Sequence, residues 1–500
     1  MLTRSAPARG AMRLLLVLAL VGLVAGCVQG TTSPRPADAT PTAASLGYAV
    51  DCSIAGHGGN WSEPCLAFAS PNDSPSKAEV DIAVNPKDPL NIVVSSKDKD
   101  PKGSDCVWAI PQVTKDGGKT WKTVYLGGDM ASRTPGTPLF GWHCITDPIM
   151  VFDKNGVLYY SLQAYDLQRG RPASPVDPTG VINGADAGGN MYTAVSTDGG
   201  LTWPTVLLLH AGDGVAIFHD FMRMGVNPKT GTVYTIWNQY NAQQNSVPVL
   251  VAVTPGASSA QPPVYVPIPD KPGDPGMSGL AVAKDGTVYA AFMASDGTGY
   301  LATSVDDAKT FSTPTKFANL TVVPRMKGNN TFRTGSGFEL AVDNSGGARD
   351  GWLYASYSSY DNGTDPNVYT MASHDKGKTW SAPVRVNQVA ANDQWMPRPL
   401  VDARGVVHVV YFDRGYDPQN FGIDATWAAS ADGGASWSNT RLTTRSFDGG
   451  LGIHQDGFPF IGDYIGIASD AKHVWMGFPT THTGRAEIAV AKVDMSSNPN

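Results

Sequence analysis

Charged, imidazole and aromatic side chains recur in this sequence at one kind of place, just ahead of or at the start of short apolar runs. Glu79 and Asp81 lead one run, His143 and Asp147 a second, and His219, Asp220 and Arg223 a third. Arg333 and Glu339, then Asp393, Trp395 and Arg398, then His454, Asp456, Asp463 and Tyr464 continue the series. A second set follows the next run in each case: Asp98, Tyr165, Asp166, Asn238, Tyr240, Tyr360, Asp361, Asp413, Arg414 and Asp417. Carboxylates bond hydroxyls, aromatic faces stack on the apolar faces of sugar rings, and arginine clamps carboxylates through paired N–H groups. Brought together, the set would suit a sugar or a polar peptide. His143, His219, Asp220, His454 and Asp456 also offer ligands for one divalent cation, although no His-x-x-x-His spacing marks such a site. No cofactor motif is present, so none is expected beyond that alternative. Taken singly, each residue also fits a structural role, because polar side chains at strand ends satisfy backbone groups and hold water. The loop Gly452-Ile-His-Gln-Asp-Gly457 has too little apolar neighbourhood for a core histidine, which gives His454 and Asp456 more weight.

The elements that must position these residues are strands. An apolar strand, a turn containing Gly or Asp, and a second strand rich in Val, Tyr and Trp recur seven times. The units are Val80 to Val84 with Asn91 to Ser95; Pro148 to Phe152 with Val157 to Leu162; Met222 to Val226 with Thr232 to Trp237; Ser278 to Val282 with Thr287 to Phe292; Phe338 to Val342 with Trp352 to Tyr357; Pro399 to Asp402 with Val406 to Phe412; and Tyr464 to Ala468 with His473 to Phe478. Their spacing is on the order of sixty residues, at the long end for four-stranded repeats with loops.

After most units stands an octapeptide, Ser/Thr-x-Asp-x-Gly-x-Thr/Ser-Trp. Clear copies carry Asp116 with Trp121, Asp198 with Trp203, Asp375 with Trp380 and Asp432 with Trp437, and a degenerate copy has Asp306 with Phe311. The Asp carboxylate can bond amides across a tight turn, Gly supplies positive φ, and the indole caps the hairpin. The third and seventh units lack a copy. The pattern resembles the Asp-box, or BNR repeat, of the sialidase-like β-propellers.

That resemblance implies an all-β β-propeller over residues 46–500; the count of seven units favours seven blades, with six, the number in sialidases themselves, as runner-up. It implies that the boxes are hairpin staples on the blade periphery, and that ligands bind at one end of the central channel. For a sialidase-like glycoside hydrolase it further implies an arginine triad for the substrate carboxylate, a Tyr nucleophile assisted by Glu, and an Asp acid/base. The family's first-blade Phe/Tyr-Arg-Ile-Pro motif is absent, since no Arg lies between Arg35 and Arg133. The family's catalytic residues therefore do not carry over. An equivalent set would use Arg223, Arg333 and Arg398 with Tyr464, Asp463, His454 and Asp456; His143, His219, Asp220, Asp393, Trp395, Asp413 and Arg414 would line the ligand. The expected ligand is a carbohydrate or glycoprotein. The alternatives are a non-catalytic propeller that binds a glycan, peptide or protein, and a metal-dependent enzyme. Because the last unit ends near Val493, a strand from the segment between Leu46 and Ser70 is expected to complete the final blade and remove its open edge.

The amino-terminal segment sets location. Arg4, Arg9 and Arg13 precede an apolar run, Leu14 to Val24, too short to span a membrane and suited to a signal-peptide core. It ends in Leu23-Val-Ala-Gly-Cys27, which resembles a prokaryotic lipobox with Cys27 as the lipidated residue. Residues 28–45 are mostly Thr, Ser, Pro and Ala and read as a flexible tether. The expected product is an exported monomer, lipid-anchored at the outer face of the cell membrane or envelope. Cys52, Cys65, Cys106 and Cys144 suggest two disulfides, with Cys52–Cys65 and Cys106–Cys144 favoured among three pairings. Gly 55, Pro 37 and 42% hydrophobic residues leave ample core and many turns. A dispersed net charge of −7 argues against nucleic acid as a partner.

Overall fold

The β-branched and aromatic runs pair into seven antiparallel sheets, and the first strand of each sheet contacts the first strand of the next around a closed ring. The computed structural model describes residues 46–54, 63, 65–70, 76–99, 107–128, 137–140, 142, 144–165, 189–212, 217–241, 245–269, 276–323, 337–360, 363, 365–455 and 458–495. Cys27, the 28–45 tether, Cys106, His143, Arg333 and Asp456 lie outside them. No α-helix occurs among the described residues. The architecture is a seven-bladed β-propeller; the six-bladed alternative is set aside.

Blade 1 runs through Lys77–Asn85, Asp88–Lys99, Val107–Thr114 and Lys122–Thr123; blade 2 through Cys144–Phe152, Leu158–Tyr165, Asn190–Ser196 and Thr205–His210. Blade 3 is Ile217–Val226, Val233–Asn241, Ser246–Val253 and Val264–Tyr265, and blade 4 is Gly276–Val282, Val288–Met293, Thr298–Ser304 and Thr315–Asn319. Blade 5 begins at Glu339–Val342 and blade 6 at Gln394–Val401. Blade 7 has Gly466–Ser469, His473–Thr480 and Glu487–Met495, and its outer strand comes from the other end of the chain. Tyr48–Val50 pairs with Val493–Met495, and Ala67–Phe68 pairs with Ala489–Val490 on the same strand. This closure is the one expected from the missing partner of the last unit.

The core is divided among the seven blade interfaces. Val93, Leu158 and Tyr160 pack between blades 1 and 2, Met191, Met222 and Trp237 between blades 2 and 3, and so on around the ring to Ile82, Val94 and Trp475 between blades 7 and 1. Box aromatics enter these same clusters. Trp203 joins the interface of blades 1 and 2, Trp437 that of blades 5 and 6, and Trp121, Trp380 and Phe311 pack against those of blades 7 and 1, 4 and 5, and 3 and 4. Within a box, Asp198 Oδ1 accepts from Ser196 Oγ at 2.8 Å and from the amides of Leu201 and Thr202 at 3.0 and 2.9 Å, while Ser196 Oγ accepts from Gly200 N at 2.8 Å. Gly199 and Gly200 take φ of +76° and +98°, which is why glycines stand there.

A disulfide joins Cys52 and Cys65, as favoured from sequence. Cys144 is also disulfide-bonded.

Candidate functional site

Four inner strands share a local departure from strand geometry. Glu79, Asp147, Phe221 and Met396 have φ of +52°, +54°, +50° and +58°. At each of these positions the register between first and second strands slips by one residue, the mark of a β-bulge. Left-handed backbone in a non-glycine residue costs on the order of 1–3 kcal/mol, so surrounding contacts must enforce it. A fifth contribution comes from Gly462, at φ +113°, where an added Cβ would sit 2.4 Å from the Glu79 nitrogen. The bulges bring polar side chains from separate blades together at the hub, in two clusters.

The first cluster is built on Lys97, from the second strand of blade 1. Its Nζ lies 2.8 Å from Glu79 Oε2 and 3.1 Å from Asp147 Oδ1, and all three side chains are buried. Asp147 also accepts from Thr146 Oγ1 at 2.6 Å, and it shares hydrogen bonds with the carboxyls of Glu79 and Asp220. Three carboxyls around one ammonium cannot all ionise cheaply. Burial raises the pKa of Asp147, but Lys97 and the converging hydrogen bonds outweigh it and hold this carboxyl well below its usual range. Burial and the Asp147 charge push Glu79 up, and push Asp220 up to about 8. At neutral pH Asp147 is therefore a carboxylate held by Lys97, and Asp220 beside it is a carboxylic acid. Asp220, Asp463 and Tyr165 are the cluster's partly exposed members, so it opens to solvent through them. Two residues before Asp220 on the same strand, exposed Phe218 pairs across to half-buried Tyr240 with ring centroids 6.3 Å apart.

The second cluster holds two of the three arginines predicted to clamp a ligand. Arg223 Nε donates to both oxygens of Glu339 at 2.9 and 3.0 Å, its Nη2 reaches the same carboxylate, and Arg398 Nη1 donates to Glu339 Oε2 at 2.5 Å. The guanidinium of Arg223 lies over the rings of Phe221 and Tyr464, 4.1 and 4.8 Å from their centroids. Burial opposes the ionised form of Glu339, and the charges of Arg223 and Arg398 overcome it. Asp81 accepts from Met150 N at 2.7 Å and adds a second negative charge nearby. A recess lined by Glu339, Arg398, Asp463 and Tyr464 opens here, with a cavity volume of about 20 Å³, room for a water molecule rather than a sugar ring.

Tyr464 is placed differently from the expected nucleophile. Its hydroxyl donates to the Pro148 carbonyl at 3.1 Å, and burial, followed by the charges of Glu79 and Asp147, raises its pKa well above the usual phenol value. His219 is fully buried, its Nδ1 accepting from Trp237 Nε1 at 2.9 Å, and burial lowers its pKa to about 3. Its imidazole is therefore neutral and faces a blade interface rather than a ligand. Asp393, Trp395, Asp413 and Arg414 are buried in blade 6, with Arg414 Nη1 donating to Asp393 at 3.1 Å and Gln394 Nε2 to Asp413 at 3.1 Å. Through these bonds Asp393, Asp413 and Arg414 hold the loop after the second strand of blade 6. His454 is exposed. Among the described residues no group of three or more His, Cys, Asp or Glu side chains is arranged to hold a metal ion.

Lys97 was missed from the sequence. Lysine near a strand end reads as a solvent-exposed charge, and its one signal is that it immediately precedes Asp98, which is buried against Lys77.

No family model matches the chain, and no curated protein matches it. Solved structures that resemble it include a Hadza microbial sialidase, at 13% identity and TM-score 0.44 over 85% of this chain and 92% of that one. A Penicillium chrysogenum alpha-L-arabinanase complexed with arabinobiose matches at 13% identity and TM-score 0.45, over 86% of this chain and 97% of that one. An ulvan lyase of a new polysaccharide lyase family matches at 11% identity and TM-score 0.49, over 86% and 96%. Likenesses this remote carry no argument about function, which rests on the chain's own site.

Proposed function

We propose that this protein is an exported, membrane-tethered propeller that engages carbohydrate at the funnel end of its channel, with Asp220 as a proton donor to the bound sugar. The observation that carries this reading is the pairing of a partly exposed carboxylic acid, Asp220, with the buried carboxylate of Asp147 beside Lys97. Environments that push two carboxyl pKa values apart separate an acid from a permanent anion at one pH, the condition for protonating a glycosidic oxygen. The aromatic pair Phe218 and Tyr240 stands beside it, where a ring face could stack. The lipobox sequence ending in Cys27 supports the tether, and the Cys52–Cys65 disulfide supports an oxidising compartment.

The test is to incubate the full chain with a panel of uncharged oligosaccharides, following binding by titration calorimetry and cleavage by release of reducing ends. Binding with cleavage that is lost in Asp220→Asn supports the hydrolase. If no sugar of the panel binds, the carbohydrate reading falls. A second reading, a glycan-binding propeller without turnover, is favoured by one observation: Tyr464 is tied to a backbone carbonyl and Arg223 and Arg398 to Glu339. Binding without cleavage would establish it.

A further inference from the structure

Arg223 and Arg398 come from blades 3 and 6, yet both close on a single carboxylate supplied by blade 5. The arrangement is rigid. Arg223 is 1% exposed, its Nη1 donates to the Met222 carbonyl at 2.8 Å, and its plane lies over two aromatic rings. Glu339 and Arg398, at 14% and 18% side-chain exposure, face the recess. A carboxylate delivered by a ligand would need the same N–H groups that Glu339 already takes, and displacing Glu339 would leave its charge buried and unpaired. Nor does the hub offer net attraction for an anion. The carboxyls of Asp81 and Glu339 face the two arginines, and those of Glu79, Asp147 and Asp463 gather around Lys97.

We propose that Glu339 makes the funnel refuse acidic sugars, by holding its own carboxylate where the axial arginines would otherwise clamp one from a ligand. The ligand class is then an uncharged sugar. This deepens, and rests on, the carbohydrate reading above. Glu339 acts as a specificity determinant, and its removal converts the pair of arginines into an anion site.

The experiment uses the full chain, with Glu339→Ala and Glu339→Gln. The probes are acetate and propionate, which match the size of the deleted side chain, and glucuronate beside glucose as acidic and uncharged sugars. Thermal melting and calorimetry at pH 7 are the readouts. In the wild type, acetate and propionate should leave melting unchanged and glucuronate should not bind. Glu339→Ala should melt lower and recover with acetate or propionate, because a small carboxylate re-enters between the arginines. Glutamine keeps the side-chain volume, so Glu339→Gln should not recover with acetate, whereas the space left in Glu339→Ala should admit the carboxylate of glucuronate and bind it about tenfold more tightly than the wild type, a difference that a freed bidentate arginine readily supplies. Rescue of folding by acetate in an otherwise unfolded Glu339→Ala chain also supports the proposal. Wild-type binding of glucuronate, or a folded Glu339→Ala indifferent to both acetate and glucuronate, overturns it. The two failures separate cleanly. Carboxylate rescue with no uncharged sugar ever binding the wild type condemns the carbohydrate reading and leaves the anion block standing.

Discussion

Asp220 keeps its proton at neutral pH because burial and the Asp147 carboxylate together oppose its ionisation, so its chemistry ends where that proton leaves, near pH 8. If it protonates a sugar oxygen, Asp220→Asn should lower turnover about 10²- to 10⁴-fold, the range for a lost general acid. The wild-type rate should fall above pH 8, and an unchanged alkaline limb in the variant would remove Asp220 from the role. The same shift bears on stability. Unfolding returns Asp220 to its ordinary value of 3.8, so the folded protein binds this proton more tightly and the site's contribution declines as pH rises from about 4 to about 8. Glu79 shifts in the same direction. Asp147 shifts the other way and contributes above pH 4, being lost in more acidic solution. Lys97→Met should cost on the order of 3–5 kcal/mol, the usual penalty for stripping one partner from a buried ion pair, read as a lower denaturation midpoint at pH 7. A loss under 1 kcal/mol would mean that the carboxyls simply take up protons. Much of this cluster was legible as Glu79, Asp147 and Asp220 leading into apolar runs. What could not be read was who would neutralise whom, because Glu339 meets Arg223 and Arg398 across 116 and 59 residues of chain.

The box hairpins explain why the fold was legible and the site less so. A box is a local object: Asp198 satisfies the turn between Ser196 and Thr202 with bonds that span at most four residues, so eight positions suffice to announce it. Within blades 1 to 6 the strands are equally local, each pairing with the next in sequence, and their alternation with turn residues set the count of seven. The interface that each indole enters is non-local, and spacing does not reveal that Trp203 of blade 2 packs on the blade 1 side. Trp203 is 5% exposed and tilts against Tyr160 at 5.4 Å between ring centroids. Trp203→Ala should therefore cost about 3 kcal/mol, at the low end for a large buried aromatic, because the cavity lies at the periphery where it can partly collapse. Sugar binding by the surviving folded protein should be unchanged. Selective loss of binding with unaltered melting would instead give the box a part in the site. The bulges are the opposite case, since nothing in the residue types of Glu79, Phe221 or Met396 favours positive φ, and Asp147 is one of many aspartates in the chain. At Glu79 the backbone is closely approached by Gly462, in the segment that leads into blade 7, a contact that spans most of the chain.

A ring of blades is only as stable as its closure, and here closure depends on the segment that begins the described chain. Tyr48 lies in the interface of blades 6 and 7, a blade pair to which no box contributes an indole, and its hydroxyl donates to Asp402 of blade 6. Asp402 also accepts from His408 Nε2 at 3.1 Å, a tautomer fixed by Trp427 Nε1 donating to His408 Nδ1 at 3.1 Å. Arg404 covers the Tyr48 ring at 4.0 Å. The Cys52–Cys65 disulfide then links the two short strands that pair with Glu487–Met495. These contacts predict a graded series. Tyr48→Phe removes one bond to a carboxylate that keeps other partners, and should cost about 1–3 kcal/mol. Replacing Cys52 and Cys65 by Ala frees a loop of sequence separation 13, for which chain entropy gives about 3 kcal/mol. Deleting residues up to 70 removes both closure strands and bares the ladder of Glu487–Met495 as a flat, apolar edge. That form should self-associate, seen as higher mass by light scattering, and should unfold over a broader transition as blade 7 frays separately. A truncated chain that stays monomeric with the parent's melting temperature would show that the ring holds without the clasp.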